Sequence, residues 1–357
     1  MKDFEKIALN TAEYIFEQIN CHAVQRLESV QTLWSGYGDI VRYRLEGDNC
    51  PGTIIVKAVC PPTASVHPRG WDSQHSHTRK LISYQVEANW YRDWAVKCQA
   101  PSFVPECFGI LEENSKHNAK ADHNWVPISD ECIILLSDLD ELGFMVRKTS
   151  LTPKQSRVCI TWLAHFHARF MQDSPDKDWP SGLWPIGTYW HLGTRADEYE
   201  VMPDSPLKRT AVEIDQKLNN CRFKTLVHGD AKVANFCFSQ NCDRVAAVDF
   251  QYVGGGCGMK DLIYLIGSCL TEEQCHQEYQ ALIEYYFSQL SVALKLNNPS
   301  IDFDMLEREW RPLFFVAWAD FHRFILGWSP DHSKNNGFSQ KMTKIALERL
   351  ASSAVRM

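Results

Sequence analysis

Several things are missing from this 357-residue sequence. It has no long uncharged apolar run. Its most apolar late stretch, Leu313 to Trp328, is broken by Asp320, His322 and Arg323, so no membrane span is expected. It has no excess of positive charge. Its 37 Lys and Arg stand against 44 Asp and Glu, a net of −7, which argues against a dedicated nucleic-acid binder. No internal repeat or low-complexity segment is seen, which argues against solenoids and disorder. The 13 cysteines contain no C-x-x-C pair and no zinc-ribbon spacing. The opening Met1-Lys2-Asp3-Phe4-Glu5-Lys6 leads into no uncharged apolar core, so no signal peptide is read. The expectation is a cytoplasmic chain with reduced thiols.

What is present is ordinary for a globular protein: 45% hydrophobic and 23% charged residues. At roughly 150 residues per domain, two domains or lobes are expected. Residues Phe4 to Ile19 carry apolar positions at helical steps. The period then changes to two: Val41, Tyr43 and Leu45 alternate with Arg42 and Arg44, which predicts a strand. Val30 to Trp34 can pair with it across Ser35-Gly36-Tyr37-Gly38-Asp39. A third strand is predicted over Gly52 to Val59. A helix follows over Thr78 to Lys97, with Leu81, Tyr84, Ala88, Tyr91 and Ala95 on one stripe. Cys132 to Leu136 reads as a short buried strand. After Pro153 the pattern is mainly helical, apart from two short strands, Thr225 to His228 and Arg244 to Asp249, read as a hairpin. The fold class is therefore α+β in two lobes. The division is placed at 1–136, a nucleotide-binding lobe, and 137–357, a catalytic and substrate lobe.

The sharpest motif is His228-Gly229-Asp230-Ala231-Lys232-Val233-Ala234-Asn235, followed fourteen residues later by Asp249 in Val248-Asp249-Phe250. Phosphoryl transfer needs an acceptor hydroxyl held in line and a metal that neutralises phosphate charge. Asp230, at a strand end, can take the hydroxyl proton. Asn235 can offer an amide oxygen to Mg²⁺, a hard cation that prefers oxygen. Asp249 can bridge metal and phosphate.

Here the sequence resembles the aminoglycoside phosphotransferase and choline kinase superfamily. It is most similar to the CHK-kinase-like, or ecdysteroid-kinase-like, branch. The resemblance runs from about Leu33 to Gly327 and is sharp over Leu226–Phe238 and Val245–Leu265. It implies a protein-kinase-like fold with ATP and Mg²⁺ as cofactors and a small-molecule hydroxyl as substrate. It implies Asp230 as catalytic base and Asn235 and Asp249 as metal ligands. His228 is implied to support the backbone around the metal-binding aspartate.

The first half offers nucleotide-binding candidates. Lys57 intrudes on the face shared by Ile55 and Val59, and a desolvated lysine needs a partner. Glu87, beside the buried helix stripe, is that candidate. Gly36 and Gly38 could lay backbone N–H groups over phosphates, or simply close a hairpin. Ser137 and Leu139 occupy the position where backbone groups would read adenine. The resemblance often carries Glu where Ser137 stands.

Other features keep alternatives. Asp261 suits a helix N-cap. The glycine-rich stretch after Asp249 reads as a supple loop, and no Ala-Pro-Glu follows, which favours a small acceptor over a protein. His67, His75 and His77 could ligate zinc, Arg69 and Trp71 could contact substrate, or the loop could merely be solvated. Trp310, Phe314, Phe315, Trp318, Phe321, Phe324 and Trp328 read as core, or as the wall of a pocket. A non-catalytic ATP-binding module is the rival reading of the whole chain.

Overall fold

A computed structural model describes residues 11–33, 36–61, 73–112 and 131–354. Two compact units emerge. The first takes residues up to Val96 and Val104–Met145; the second takes Lys97–Phe103 and Val146 onward.

The first unit opens with a helix, α1, over residues 11–18. Five antiparallel strands follow: β1 (Ala23–Thr32), β2 (Gly38–Glu46), β3 (Thr53–Val59), β4 (Cys107–Glu112) and β5 (Cys132–Ser137), in the order β1-β2-β3-β5-β4. The alternation in β2 does what its period requires. Val41, Tyr43 and Leu45 are buried, and they share a core with Ile54, Val56, Ile133, Leu135 and with Tyr14 and Ile15 of α1. Helix α2 (Ser73–Asn89) lies between β3 and β4 in sequence. It begins earlier than the predicted helix and stops sooner, passing into a π turn (Trp90–Trp94) and a 3₁₀ turn (Ala95–Lys97). The stripe survives the change of winding: Tyr84, Ala88, Tyr91 and Ala95 are all buried.

The unit boundary falls later than the strand-end position chosen from sequence. Arg42 on β2 pairs with Asp138 at 2.7 Å and Asp140 at 2.5 Å, and Thr53 Oγ1 donates to Asp138 at 2.7 Å. These bonds hold residues 138–140 to the first sheet. Conversely, Ser102 Oγ donates to Trp162 O, and Trp162 Nε1 donates to Phe103 O, each at 2.9 Å, which ties residues 97–103 to the second unit.

The second unit is mainly helical. It contains β6 (Val146–Arg147), α3 (Pro153–Phe170), β7 (Gln172–Asp173), α4 (Ala196–Val201), α5 (Pro206–Arg209) and α6 (Ala211–Asn219). Then come β8 (Phe223–Val227), β9 (Phe236–Phe238), β10 (Val245–Ala247), β11 (Gly254–Gly256), α7 (Met259–Cys269), α8 (Glu272–Asn297), α9 (Phe303–Trp328) and α10 (Gly337–Ala354). Helix α3 begins at a reciprocal cap between Thr152 and Gln155 and packs on α8, while α9 packs on α6, α7 and α10.

Two local expectations are corrected. The strands before and after the motif do not form a hairpin with each other. β8 pairs with β11 and β7, and β10 pairs with β9, a strand too short to show a period. The glycine stretch after Asp249 is likewise no loose loop: Gly254–Gly256 is the buried strand β11.

Of the late aromatics, Trp310, Phe314, Trp318, Phe321 and Phe324 are buried, as core residues are, while Phe315 and Trp328 keep partial exposure. All 13 cysteines are free thiols. Cys257 is fully buried, and burial pushes its thiol well above the ordinary range. His67, Arg69 and Trp71 lie outside the described residues. His77, on α2, bonds the Tyr37 hydroxyl. Among the described residues, no helix is long and apolar enough to cross a membrane.

Candidate active site

The motif residues converge through the loop between β8 and β9. Gly229 turns the chain with φ +80°, and a Cβ there would stand 2.0 Å from Tyr252 O. The turn directs Asp230 inward, where it is 7% exposed. Its Oδ2 accepts from Lys232 Nζ at 2.8 Å and from Asn235 Nδ2 at 3.0 Å. Its Oδ1 has no hydrogen-bond partner within 3.5 Å among the described residues. Burial raises the Asp230 carboxyl above its usual range; Lys232 opposes the rise and Asp249 adds to it.

Asn235 closes the loop. Its Nδ2 also donates to Asp230 O at 2.8 Å, so both amide hydrogens are committed to one residue. The chemistry left on Asn235 is that of an oxygen donor. Asp249 sits just after β10 with φ +67°, a left-handed conformation uncommon outside glycine. One amide oxygen and one carboxylate make a donor set of the hard-oxygen kind that suits Mg²⁺.

What links the two loops is a histidine. His228 Nδ1 accepts from Asp230 N at 3.3 Å, so Nε2 carries the proton and donates to Val248 O at 3.0 Å. Val248 N in turn donates to Asn235 O at 3.0 Å. The imidazole thus spaces the Asp230 segment from the residue that precedes Asp249.

Beneath this lies a network that the sequence did not reveal. Asp261 is not the N-cap of α7, a place held by Gly258. It lies within the first turn, fully buried, and accepts from His228 N at 2.6 Å and Gly229 N at 3.0 Å. His167, on α3, donates from Nε2 to Asp261 at 3.1 Å and accepts at Nδ1 from the Tyr286 hydroxyl at 2.7 Å. Nothing in spacing pairs residues 94 and 119 apart; only the polar identity of His167 within an apolar helix stripe hinted at it.

The surroundings of Asp230 are aromatic and cationic. Tyr189 and Tyr264 hydroxyls share a hydrogen bond of 3.1 Å, and both phenols are pushed up by burial first and by the Asp230 charge as well. Lys232 is raised: burial opposes its charge, and Asp230 and Asp249 outweigh it.

In the first unit, Lys57 and Glu87 meet as expected. Nζ and Oε2 are 2.6 Å apart, with the two residues 4% and 1% exposed. The Tyr84 ring lies 5.7 Å from the ammonium. Gly38 packs where a Cβ would strike Ala58 O of β3 at 1.9 Å, and Gly36 N donates to Leu33 O at 3.1 Å. Ser137 N donates to Glu106 O at 2.9 Å, its Oγ accepts from Glu106 N at 3.0 Å, and Leu139 O accepts from Phe144 N at 2.8 Å. The backbone of this stretch is therefore already part-committed to its own unit.

Residues 204–298 match the ecdysteroid kinase-like family. The matched segment runs from α5 to α8 and includes His228, Asp230, Asn235, Asp249 and Asp261. The resemblance to this branch is thereby borne out over these residues. No curated protein matches the chain. Solved structures similar to it include an aminoglycoside-3'-phosphotransferase of type VIII, with 12% identity, 81% of this chain and 94% of the other covered, and a TM-score of 0.43. A choline kinase from Cryptosporidium parvum Iowa II shows 11% identity, 95% and 91% coverage and a TM-score of 0.47. A microcompartment-associated aminopropanol kinase shows 16%, 97% and 98%, and 0.40.

Proposed function

We propose that the protein is a small-molecule kinase that transfers the γ-phosphoryl group of ATP to a hydroxyl of an organic acceptor. The observation that carries this reading is the Asp230 carboxylate: buried, fixed through Oδ2 by Lys232 and Asn235, and left without a hydrogen-bond partner at Oδ1. A carboxylate so placed can accept the acceptor's hydroxyl proton as the oxygen attacks phosphorus. Its raised pKa brings it closer to the alcohol it must deprotonate.

Asn235 and Asp249 would hold Mg²⁺, which when bound neutralises phosphate charge. His228 keeps their two loops in register. Lys57, positioned by Glu87, would steady the α- and β-phosphates, with the Gly36–Gly38 turn and the Ser137–Leu139 stretch as the other nucleotide contacts. A cytoplasmic setting belongs to the same reading, because 13 free thiols suit a reducing compartment.

The test is kinetic. ADP release is measured across a panel of hydroxyl compounds for the wild type and Asp230→Ala. The variant is expected to bind ATP as the wild type does and to lose turnover by about 10²- to 10⁴-fold. Full turnover in the variant with a genuine acceptor overturns the role of Asp230. ATP binding without turnover on any acceptor favours a non-catalytic nucleotide-binding module.

A further inference from the structure

Asp320 and Arg323 interrupt the apolar run of α9, and neither has a part in the chemistry above. Both are buried, each 1% exposed. Arg323 Nε and Nη2 reach Asp320 Oδ1 at 2.9 and 2.8 Å. Nη2 also donates to Trp190 O at 2.8 Å. A buried ion pair adds little to stability over apolar residues of the same volume. What apolar residues could not do is hold that carbonyl.

The carbonyl belongs to a short segment, residues 188–190, that is bonded to both motif loops. Thr188 N donates to Tyr252 O and Tyr189 N donates to Gly229 O, each at 3.2 Å. Tyr252 follows Asp249 by three residues, and Gly229 immediately precedes Asp230. The contact is close: a Cβ on Gly229 would stand 3.0 Å from Thr188 N. A second arginine, Arg195, donates from Nε to Tyr189 O at 2.6 Å.

Thr188 itself is strained. Its φ is +105°, an outlier for a β-branched residue. It is 2% exposed, and its hydroxyl has no hydrogen-bond partner among the described residues. A conformation of this kind persists only where the surroundings over-determine it. Two arginines on one set of carbonyls and two motif-loop carbonyls on the amides supply that constraint.

We propose that Arg323 is a positioning residue for Asp230: by holding Trp190 O it keeps the strained 188–190 segment on the Gly229 carbonyl and so fixes the turn that directs the base. This rests on the reading of Asp230 as the base. It adds to that reading a residue of α9 that touches neither motif loop and acts through a segment the motif does not contain.

The test reads the full chain by hydrogen exchange at single amides and by steady-state kinetics. In the wild type the Tyr189 amide is expected to be protected; free exchange there overturns the proposal before any variant is made. Arg323→Met alone strands the Asp320 carboxylate and is expected to lose stability, so the informative protein is the double variant Asp320→Leu with Arg323→Met, which removes both charges. It is expected to fold with a urea midpoint near the wild type's. Its Tyr189 amide should exchange at least about tenfold faster while the amides of α8 are unchanged. Its kcat should fall by about 10²-fold with the KM for ATP in place. A double variant that cannot fold shows that the pair serves stability, and overturns the proposal. So does a folded one whose Tyr189 amide stays protected. If that amide opens but the wild type phosphorylates no compound of the hydroxyl panel, the kinase reading fails and the hold of Arg323 on the turn stands. If the wild type transfers phosphate and the folded double variant does so equally fast, the positioning role fails and the kinase reading stands.

Discussion

Replacing Asp261 by Asn is a demanding test of how the active loop is held. Asp261 is fully buried and serves three donors: His228 N at 2.6 Å, Gly229 N at 3.0 Å and His167 Nε2 at 3.1 Å. A carboxylate suits this because it only accepts. An amide of the same shape has one oxygen and one NH₂, so at least one backbone N–H must face another donor. An unsatisfied buried donor costs about 1–3 kcal/mol, and losing the charge in the remaining bonds adds roughly another 1–2 kcal/mol. The sum, about 2–5 kcal/mol, is a large part of the 5–15 kcal/mol typical of a folded domain. At about 2–4 °C per kcal/mol for a domain of this unit's size, the melting temperature should fall by about 4–20 °C. Hydrogen exchange at the Gly229 amide should rise as well, because that amide loses its acceptor. The assay pairs thermal unfolding with exchange at this one amide. A melting temperature within about 1 °C of wild type, with Gly229 still protected, would refute the claim that Asp261 holds the loop.

Three further perturbations follow from the same geometry. Lys57→Met strands a buried Glu87 carboxylate and should cost about 3–5 kcal/mol, whereas the double change Lys57→Met with Glu87→Met should restore most of that loss while leaving ATP binding weak; urea midpoints and ATP titration check both. Gly229→Ala adds a Cβ that would sit 2.0 Å from Tyr252 O at φ +80°, so it should cost more than about 2 kcal/mol by thermal unfolding, and a stable, active Gly229→Ala variant contradicts the turn geometry. Burial holds the Lys334 ammonium down, from 10.5 to about 8. The unfolded chain therefore binds that proton more tightly, and raising the pH from about 8 to 10.5 removes a penalty from the fold. Lys334→Met should accordingly be the more stable protein at pH 7, by no more than about 3 kcal/mol, with the gap closing as the pH rises through that window; a gap that stays constant contradicts the burial of the charge.

How much of this was legible in the sequence depended on distance along the chain. The β2 alternation and the α2 stripe were readable because burial of one face leaves a period in the residues themselves. Lys57 and Glu87 could be paired because each interrupts an apolar face and each requires the other. The Asp230 loop was readable because the chemistry proposed for it needs fixed residue types within a few positions. β9 was missed because three residues carry no period, and the hairpin was misassigned in consequence. Asp261 was read locally as a cap, since nothing in its neighbours tells that its acceptors are spent on His228 and Gly229. Tyr286 was invisible for the same reason, and His167 offered only its polar identity in an apolar stripe: both meet the site through tertiary packing of α3 and α8. The unit boundary moved because Arg42 claims Asp138 and Asp140 from across the sheet.

The central claim is phosphoryl transfer by the Asp230 loop, and one measurement addresses it directly. The protein is incubated with a cell metabolite extract and ATP whose γ-phosphate carries heavy oxygen, and phosphorylated products are identified by their mass shift. The account predicts a labelled phosphomonoester with the wild type and its near-absence with Asp230→Ala. An equal yield of that labelled product from Asp230→Ala, or no labelled product from a wild type that binds ATP and Mg²⁺, would contradict it.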